Sequence, residues 1–352
     1  MSDALRPAEP SMETQDAALH PEAGAGAPGA PLLSLIVVTW NSARWLPVCL
    51  GAITAATEGL SAEVWVVDNA SADDTVAQAR QLAPTAHLIA NTENLGFARA
   101  NNLAIERSRG RYVLLLNPDA EINAAALTGM IAILDAQPDV GLIGCRLVQP
   151  DGRPQECYGL RYASARHRSP AIRPGPGHPE LVDAAWLGGA CLLARRAAIS
   201  DVGALDPDYL MYYEDMDWGY RMRRAGWRVV YWDGGAVRHH GGGDTPTSVG
   251  ARAESARRYM TSEMLFHVKH SSAMARRAVW LARFERSLRG LAYYGLLRLL
   301  RVPTSRNQYE RHQANLRVLL TRPWRCATGV AQVVQLASAA AALADWRKRG
   351  HG

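Results

Sequence analysis

Residues 111–122, RYVLLLNPDAEI, limit what this chain can fold into more than any other stretch. Five apolar residues, Tyr112 to Leu116, run without interruption into Asn117, Pro118 and Asp119. Such a run, bounded by turn residues, suits a strand buried on both faces, as in the middle of a parallel sheet. Pro118 lacks an N–H and has a fixed φ, so the strand should end there. Asn117 and Asp119 are then left at the carboxyl edge of the sheet, where open α/β sheets bind ligands. A carboxylate there is a hard oxygen ligand for Mg²⁺ or Mn²⁺, with a substrate diphosphate completing the shell. The plainer use of Asp119 is as the N-cap of the next helix.

The surrounding sequence repeats the pattern. Apolar runs at 33–38, 63–67, 87–90 and 140–145 alternate with helical patterns at 43–57, 73–82, 98–108 and 124–136. Ser71 or Asp73 would cap the second helix. Strands alternating with helices of ten to fifteen residues predict an α/β fold with a doubly wound, mainly parallel sheet. Residues 146–182 hold Pro, Gly and Arg without period and read as a long loop over the site. A helix is expected at 215–225 and a strand at 227–232. From 252 onward the chain reads as helical, broken at Pro303 and Pro323. Residues 1–31, rich in Ala, Pro, Gly and acidic side chains, read as a disordered tail.

Charge divides the chain. Residues 1–249 carry 20 Lys+Arg against 28 Asp+Glu, whereas 250–352 carry 19 against 5. The basic final third should therefore meet something anionic. Cys49, Cys145, Cys157, Cys191 and Cys326 are scattered, and no pair has zinc-ligand spacing, so they read as reduced thiols of a cytosolic protein. The N-terminus has neither the charge nor the apolar core of a signal peptide. No run of about twenty apolar residues exists. The nearest, 329–344, is rich in alanine with two glutamines and reads as a helix packed on protein.

Thr39 and Asn41 follow the first strand, Asp68 the second, and Asn117 and Asp119 the central one, so one ligand can touch them all. Asp68 can accept a charge-assisted bond from a nucleobase N–H, or cap a helix. No GxGxxG turn follows the first strand, which argues against a dinucleotide-binding dehydrogenase. A metal is then the natural way to offset a diphosphate. Glu214, Asp215 and Asp217 place three carboxylates before a helix. One can act as a general base on a hydroxyl, although acidic residues also favour a helix N-terminus. Asp217 stands at i to Arg221 at i+4, the spacing of a structural pair. His239 and His240 end the next strand, ahead of Gly241, Gly242 and Gly243, and one of them offers imidazole as a third metal ligand. Gly188 and Gly189 allow backbone to approach a sugar, or simply make a tight turn.

The segments TWNSARWLPVCL, VVDNASADDT, NLGFARANN, LLLNPDAEI, WLGGACLLARR, the run 202–217 and VRHHGGG together resemble the family 2 glycosyltransferases. Within them the likeness is to bacterial rhamnosyltransferases that extend lipid-linked saccharides, over about residues 33–245. The resemblance implies a GT-A fold, one metal ion (Mg²⁺ or Mn²⁺) and an inverting mechanism. Carried over by position, Thr39, Asn41 and Asp68 hold the nucleotide, and 94–101, with Asn94, Gly96 and Asn101, line the donor pocket. Asp119 becomes the metal carboxylate, in an NPD form rather than a strict DxD, so Asn117 offers only a neutral oxygen. Asp215, beside Glu214, becomes the base. His239 becomes the metal ligand, with His240 the alternative. Trp186 and Gly189 face the acceptor.

The expected division is a GT-A unit at 32–249, with a nucleotide-sugar half (32–145) and an acceptor half (146–249), followed by a helical basic region at 250–352. The expected function is transfer of a sugar, rhamnose from dTDP-rhamnose, to a lipid-linked or polysaccharide acceptor in cell-envelope glycan synthesis. The alternatives are the same fold with a UDP-hexose, or a non-catalytic sugar-nucleotide-binding component of an assembly complex. In the tail, Arg276, Arg277, Arg283, Arg286, Arg289, Arg298 and Arg301 interleave with Trp280, Leu281, Phe284, Leu288, Leu291, Tyr294, Leu297 and Leu300. That suits an interfacial helix on anionic lipid, peripheral on the inner face of the cytoplasmic membrane. The other reading is packing on the catalytic unit or on another subunit of a homo-oligomer. Nucleic acid is disfavoured, since no helix-turn-helix or RRM pattern occurs.

Overall fold

Strands and helices alternate through the first half of the chain as the apolar runs predict. In the computed structural model, which describes residues 29–160, 174–175, 178–241, 249–303 and 305–320, most of the chain is placed. The first half runs β1 (Leu33–Thr39), α1 (Leu46–Ala56), β2 (Ala62–Asp68), α2 (Thr75–Leu82), β3 (His87–Ala90), α3 (Phe97–Arg107), β4 (Tyr112–Leu116), β5 (Ala120–Glu121), α4 (Ala124–Ala136) and β6 (Val140–Val148). Short strands follow: β7 (Pro154–Gln155), β8 (Tyr158–Gly159), β9 (Pro174–Gly175), β10 (His178–Asp183) and β11 (Trp186–Leu187). Then come β12 (Cys191–Arg195), α5 (Arg196–Val202), α6 (Glu214–Arg224), β13 (Arg228–His239), and the long helices α7 (Val249–His270), α8 (Ala273–Leu299) and α9 (Ser305–Leu320).

Among the described residues one sheet has the order β3-β2-β1-β4-β12-β6-β13-β10-β9, with β5 on β13 and β7 on β6. β1 to β4 are parallel to one another, as are β6 and β13. β12 enters antiparallel between β4 and β6. Every residue of β4 is buried, as its apolar run requires. Asn123, not Asp119, caps α4: its side chain accepts from the Ala126 N–H at 2.8 Å. At the other end of α4, buried Arg195 donates to the carbonyls of Leu134 and Gln137, acceptors that a helix end leaves open, and to that of Val140 at the start of β6.

Two expectations change. Residues 146–182 are not one long loop. β6 continues past Arg146 to Val148, β7 folds back on it, β8 pairs with β11, and β10 joins the main sheet. Arg146 breaks the apolar run without ending the strand, because its side chain is partly exposed while that of Leu147 is buried, the alternation of a half-covered strand. Residues 161–173 and 176–177 of the expected loop lie outside the described residues. β13 likewise runs seven residues beyond 232, through Gly234 and Gly235. A Cβ on either would sit 2.4–2.5 Å from the Trp232 ring, so the two glycines admit the indole rather than end the strand. This extension carries His239 to the edge of the sheet.

Over its described residues, 249–303 and 305–320, the tail is helical, with Pro303 in the break between α8 and α9. It packs on the catalytic unit. Tyr209, Tyr213, Met216 and Tyr220 share a buried cluster with Met260, Met264, Leu265 and Phe266 of α7 and with Val318 and Leu319 of α9. The apolar residues of α8 do not form one face. Trp280 and Phe284 stack on each other at 4.9 Å and pack against that cluster, whereas Leu281, Leu288 and Leu300 face outward. Among the described residues no helix is long and apolar enough to cross a membrane. Cys49, Cys145, Cys157 and Cys191 are buried free thiols. The 1–28 part of the expected disordered tail, Pro323, Cys326, Gly242, Gly243 and the 329–344 helix lie outside the described residues.

Candidate active site

The loops after β1 and β2 are laced together by one buried carboxylate. Asp68 is 1% exposed. Its Oδ1 accepts from the Thr39 hydroxyl at 2.9 Å and the Ser71 hydroxyl at 2.5 Å, and its Oδ2 accepts from the Ser71 N–H at 2.9 Å. Asn41 adds a second tie. Its backbone N–H donates to Ser71 Oγ and its side-chain oxygen accepts from the Ala72 N–H, both at 2.8 Å. Asn41 and Ala70 pay for this lacing with left-handed backbone, at φ 50° and 59°. Asp68 therefore shapes the pocket wall before it meets any ligand.

Asn69, 3% exposed, extends the lacing: its amide donates to the Gly96 carbonyl at 3.2 Å and accepts from Asn91 at 3.1 Å. Asn94 Oδ1 holds the Gly96 N–H at 2.9 Å. Gly96 has φ 81°, and a Cβ there would sit 2.5 Å from the Leu210 carbonyl oxygen. The 94–96 turn thus lies directly against the loop that leads to α6. Asn102 grips the same loop, donating to the Leu205 carbonyl at 2.7 Å and accepting from its N–H at 3.1 Å. Asn101 is buried, and its amide donates to the Phe97 carbonyl at 2.9 Å within its own helix.

At the end of β4, Asp119 is 6% exposed, and its Oδ1 lies 3.2 Å from His239 Nε2. Asn117 Nδ2 is 3.5 Å from the same nitrogen. Gln155 defines the imidazole. Its Nε2 donates to the His239 carbonyl at 2.8 Å, which turns its Oε1 to His239 Nδ1, also at 2.8 Å. Nδ1 must then carry the proton, so in the neutral ring the lone pair sits on Nε2, beside Asp119. His240 points elsewhere, to Glu121 Oε1 at 2.6 Å and against Trp45 at 4.7 Å. The local field is negative: burial first, then Asp119 and Glu121, push the Cys49 thiol up to about 12. Ligand atoms at right angles around one small divalent ion stand about 3 Å apart, so the Asp119–His239 spacing fits one ion. Among the described residues no three His, Cys, Asp or Glu gather to hold a metal.

Asp215 stands in the first turn of α6. Its Oδ2 accepts from the Gly189 N–H at 2.8 Å and its Oδ1 from the Met216 N–H at 2.7 Å. Burial pushes its carboxyl up to about 6, against the opposing pull of those two N–H groups. Tyr212 and Tyr213, just before it, both hold φ 70°, a strained conformation for bulky residues. Helix α7 braces that strain: Tyr212 meets Ser255 at 3.0 Å, and Ser262 donates to the Met211 carbonyl at 2.8 Å. Asp217 is structural. Burial raises its carboxyl, but His270 at 2.6 Å and Arg221 at 2.7 Å outweigh that and hold it below the usual range. Glu214 is buried at 8% exposure. The Gly188 N–H donates to the Cys157 carbonyl at 2.7 Å, and the Trp186 indole covers Gly159.

One short link joins the two carboxylate sites. Gly189 holds Asp215, and the next residue, Ala190, accepts the Asn117 N–H at 2.9 Å. The two residues that lead into β12 therefore set Asp215 beside the end of β4.

The family model described as glycosyl transferase family 2 matches residues 34–203. The N-acetylglucosaminyl-diphospho-decaprenol L-rhamnosyltransferase of Mycobacterium tuberculosis is 30% identical over 241 residues, covering 59% of this chain and 76% of that protein. The chain belongs to glycosyltransferase family 2. Solved structures agree on the GT-A fold. A mannosyltransferase from Pyrobaculum calidifontis, in complex with GDP-Man and Mn²⁺, matches with a TM-score of 0.50 at 20% identity, over 91% of this chain and 78% of that one. GalNAc-T7 with UDP, GalNAc and Mn²⁺ matches with a TM-score of 0.51 at 12% identity, over 83% and 56%.

Of the residues predicted for this glycosyltransferase, the structure joins Thr39, Asn41 and Asp68 in one network and Asn117, Asp119 and His239 in another. Gly189 touches Asp215. Sequence reasoning missed Gln155, which lay inside an expected loop, and Asn69, which stood next to a residue that took all the attention. It also missed the α7 side chains that brace 209–213, because nothing local in a helix says which loop it will meet. Gly96 offers a direct check on the packing. Gly96→Ala should lower stability by roughly 2 kcal/mol, from its positive φ and the clash with Leu210, read as a reduced urea midpoint. Unchanged stability would mean that the 94–96 turn does not lie on the 205–212 loop.

Proposed function

We propose that this family 2 glycosyltransferase transfers rhamnose from dTDP-rhamnose, with inversion, to a lipid-linked acceptor in cell-envelope glycan synthesis, at the inner face of the cytoplasmic membrane. The observation that carries the reading is the juxtaposition of Asp119 and His239 with Asp215 through the Asn117–Ala190 and Gly189–Asp215 bonds. The sugar and acceptor are supported by the name of the Mycobacterium tuberculosis relative. A UDP-hexose as donor is the second option, since small pocket contacts decide between sugars.

Asp119 and His239 would hold a divalent cation, Mg²⁺ or Mn²⁺. When bound, such an ion offsets the charge that builds on a departing nucleoside diphosphate. Asp215 takes the proton from the acceptor hydroxyl as it attacks the anomeric carbon. One base and one displacement from the opposite face give inversion. A glycosidase needs a second carboxyl to protonate its leaving oxygen, whereas a diphosphate leaves without one. The two N–H donors on Asp215 fix its carboxylate in place and keep it from rising further. Its elevation has a stability consequence as well. The folded chain holds the Asp215 proton more tightly than the unfolded one, so this group costs stability as pH rises from 3.8 through about 6.

The first test is release of nucleoside diphosphate from dTDP-rhamnose, UDP-glucose, UDP-galactose, UDP-N-acetylglucosamine and GDP-mannose with Mg²⁺ or Mn²⁺. Metal-dependent release from one donor, lost in Asp119→Ala, is expected. A panel in which no donor is hydrolysed and none raises the melting temperature would sink the reading. For the base, Asp215→Asn should lower transfer by about 10²–10⁴-fold while donor affinity is kept. The wild-type kcat/KM should fall as pH drops below about 6, because only the ionised carboxylate accepts a proton. An acid limb that survives in Asp215→Asn would assign the base elsewhere. Gln155→Leu should weaken Mn²⁺ binding about 10–100-fold in calorimetry with nucleoside diphosphate present. Equal affinity would show that Gln155 does not orient His239 for a metal.

A further inference from the structure

Helix α8 has two apolar faces, and only one is spoken for. The inner face carries Trp280, Phe284 and the buried Ser287 and Gly290, packed toward α7 and α9. Trp280 Nε1 donates to the Leu319 carbonyl at 2.8 Å, Arg283 pairs with buried Glu263 at 2.5 Å, and Tyr294 stacks on His312 at 5.7 Å. The outer face is a stripe of Met274, Ala278, Leu281, Leu288, Ala292, Leu296 and Leu299, interrupted by Glu285. With Glu285 counted, every step is three or four residues, so the stripe lies along one side of the helix. Its large members are exposed: Met274 71%, Leu281 59%, Leu288 44%, Leu296 57% and Leu299 80%, with Tyr293 (58%) and Leu300 (66%) alongside. Single exposed leucines need no explanation, but a row over seven turns, broken once by Glu285, does.

Charge says what covers it. Residues 273–320 hold ten arginines against Glu285 and Glu310. Arg277, Arg286 and Arg289 flank the stripe and are exposed, and Glu285 is neutralised by Arg289 at 2.6 Å. Two copies meeting on this face would bring like charges together, which disfavours association. An anionic bilayer removes that conflict, receiving the apolar row at its acyl boundary and the guanidinium groups among its headgroups.

We infer that the outer face of α8 is a membrane-contact surface for anionic lipid, which seats the catalytic unit on the leaflet that carries its acceptor. The link to the acceptor rests on the proposed function, but the contact itself does not. Because α7 packs between α8 and the 209–213 loop, a seated α8 fixes the Asp215 side of the site relative to the bilayer.

The test uses the full chain and extruded vesicles, without sugar nucleotide. Flotation should show at least tenfold stronger binding to phosphatidylglycerol–phosphatidylcholine vesicles than to phosphatidylcholine alone, weakening as salt rises. The triple variant L281Q/L288Q/L296Q should lose at least tenfold in vesicle binding and keep its rate of nucleoside diphosphate release measured without vesicles. R277Q/R286Q should lose the preference for the anionic vesicles. A wild type that ignores both vesicles, or a triple variant that binds as the wild type does, overturns the inference. So does a wild-type dimer in sedimentation that the triple variant converts to monomer, which would give the stripe to a second copy. Vesicle binding and donor hydrolysis are read separately, so failure of one leaves the other standing.

Discussion

The two residues just ahead of β12, Gly189 and Ala190, hold this candidate active site together. Strand β12 runs antiparallel against β4, so its start meets the end of β4 at the carboxyl edge of the sheet, where Ala190 accepts the Asn117 N–H at 2.9 Å. One residue earlier, Gly189 turns its own N–H onto Asp215 at 2.8 Å. A parallel strand in that place would present its other end and leave the two carboxylates unconnected. A Cβ at 189 would stand 3.4 Å from Asp215 Oδ2, in van der Waals contact with the carboxylate that the backbone holds.

Around that junction, polar side chains serve as struts. Asp68 ties two strand-end loops, Gln155 orients His239, and Asn102 and Asn69 fix the walls on either side of the 94–96 turn. Each is a buried or half-buried group whose cost of leaving water is met by hydrogen bonds, so each bond also defines a position. The left-handed pair Tyr212–Tyr213 is the conformational price of bringing Asp215 into place, and helix α7 holds it there. The described helices α7 and α9 of the basic region are thus packed into the wall of the candidate site.

The sheet was legible because buried strands advertise themselves. The apolar runs at 33–38, 63–67 and 112–116 came out as strands within two residues, and Pro118 ended β4 as its missing N–H requires. Reading failed where a strand is half exposed or passes through glycine. Arg146 hid the end of β6, and Gly234–Gly235 hid the continuity of β13 from Trp232 to His239, because only the Trp232 indole explains them. On α8 a single helical period concealed two apolar faces, since periodicity shows that a face exists and not what it meets.

By itself the sequence determined the alternation of strand and helix, the central position of β4, and the presence of Asp119, Asp215 and His239 at element ends. Those follow from local pattern: apolar runs, a proline, and acidic residues at the head of a helix. Only the tertiary structure decided which histidine faces Asp119, that Asn123 and not Asp119 caps α4, that Asp217 is consumed by Arg221 and His270, and that Gly189 carries Asp215 to β4. Each of these depends on groups far apart in the chain. His239 stands 120 residues from Asp119, and no short-range preference reports a contact made through the register of a sheet.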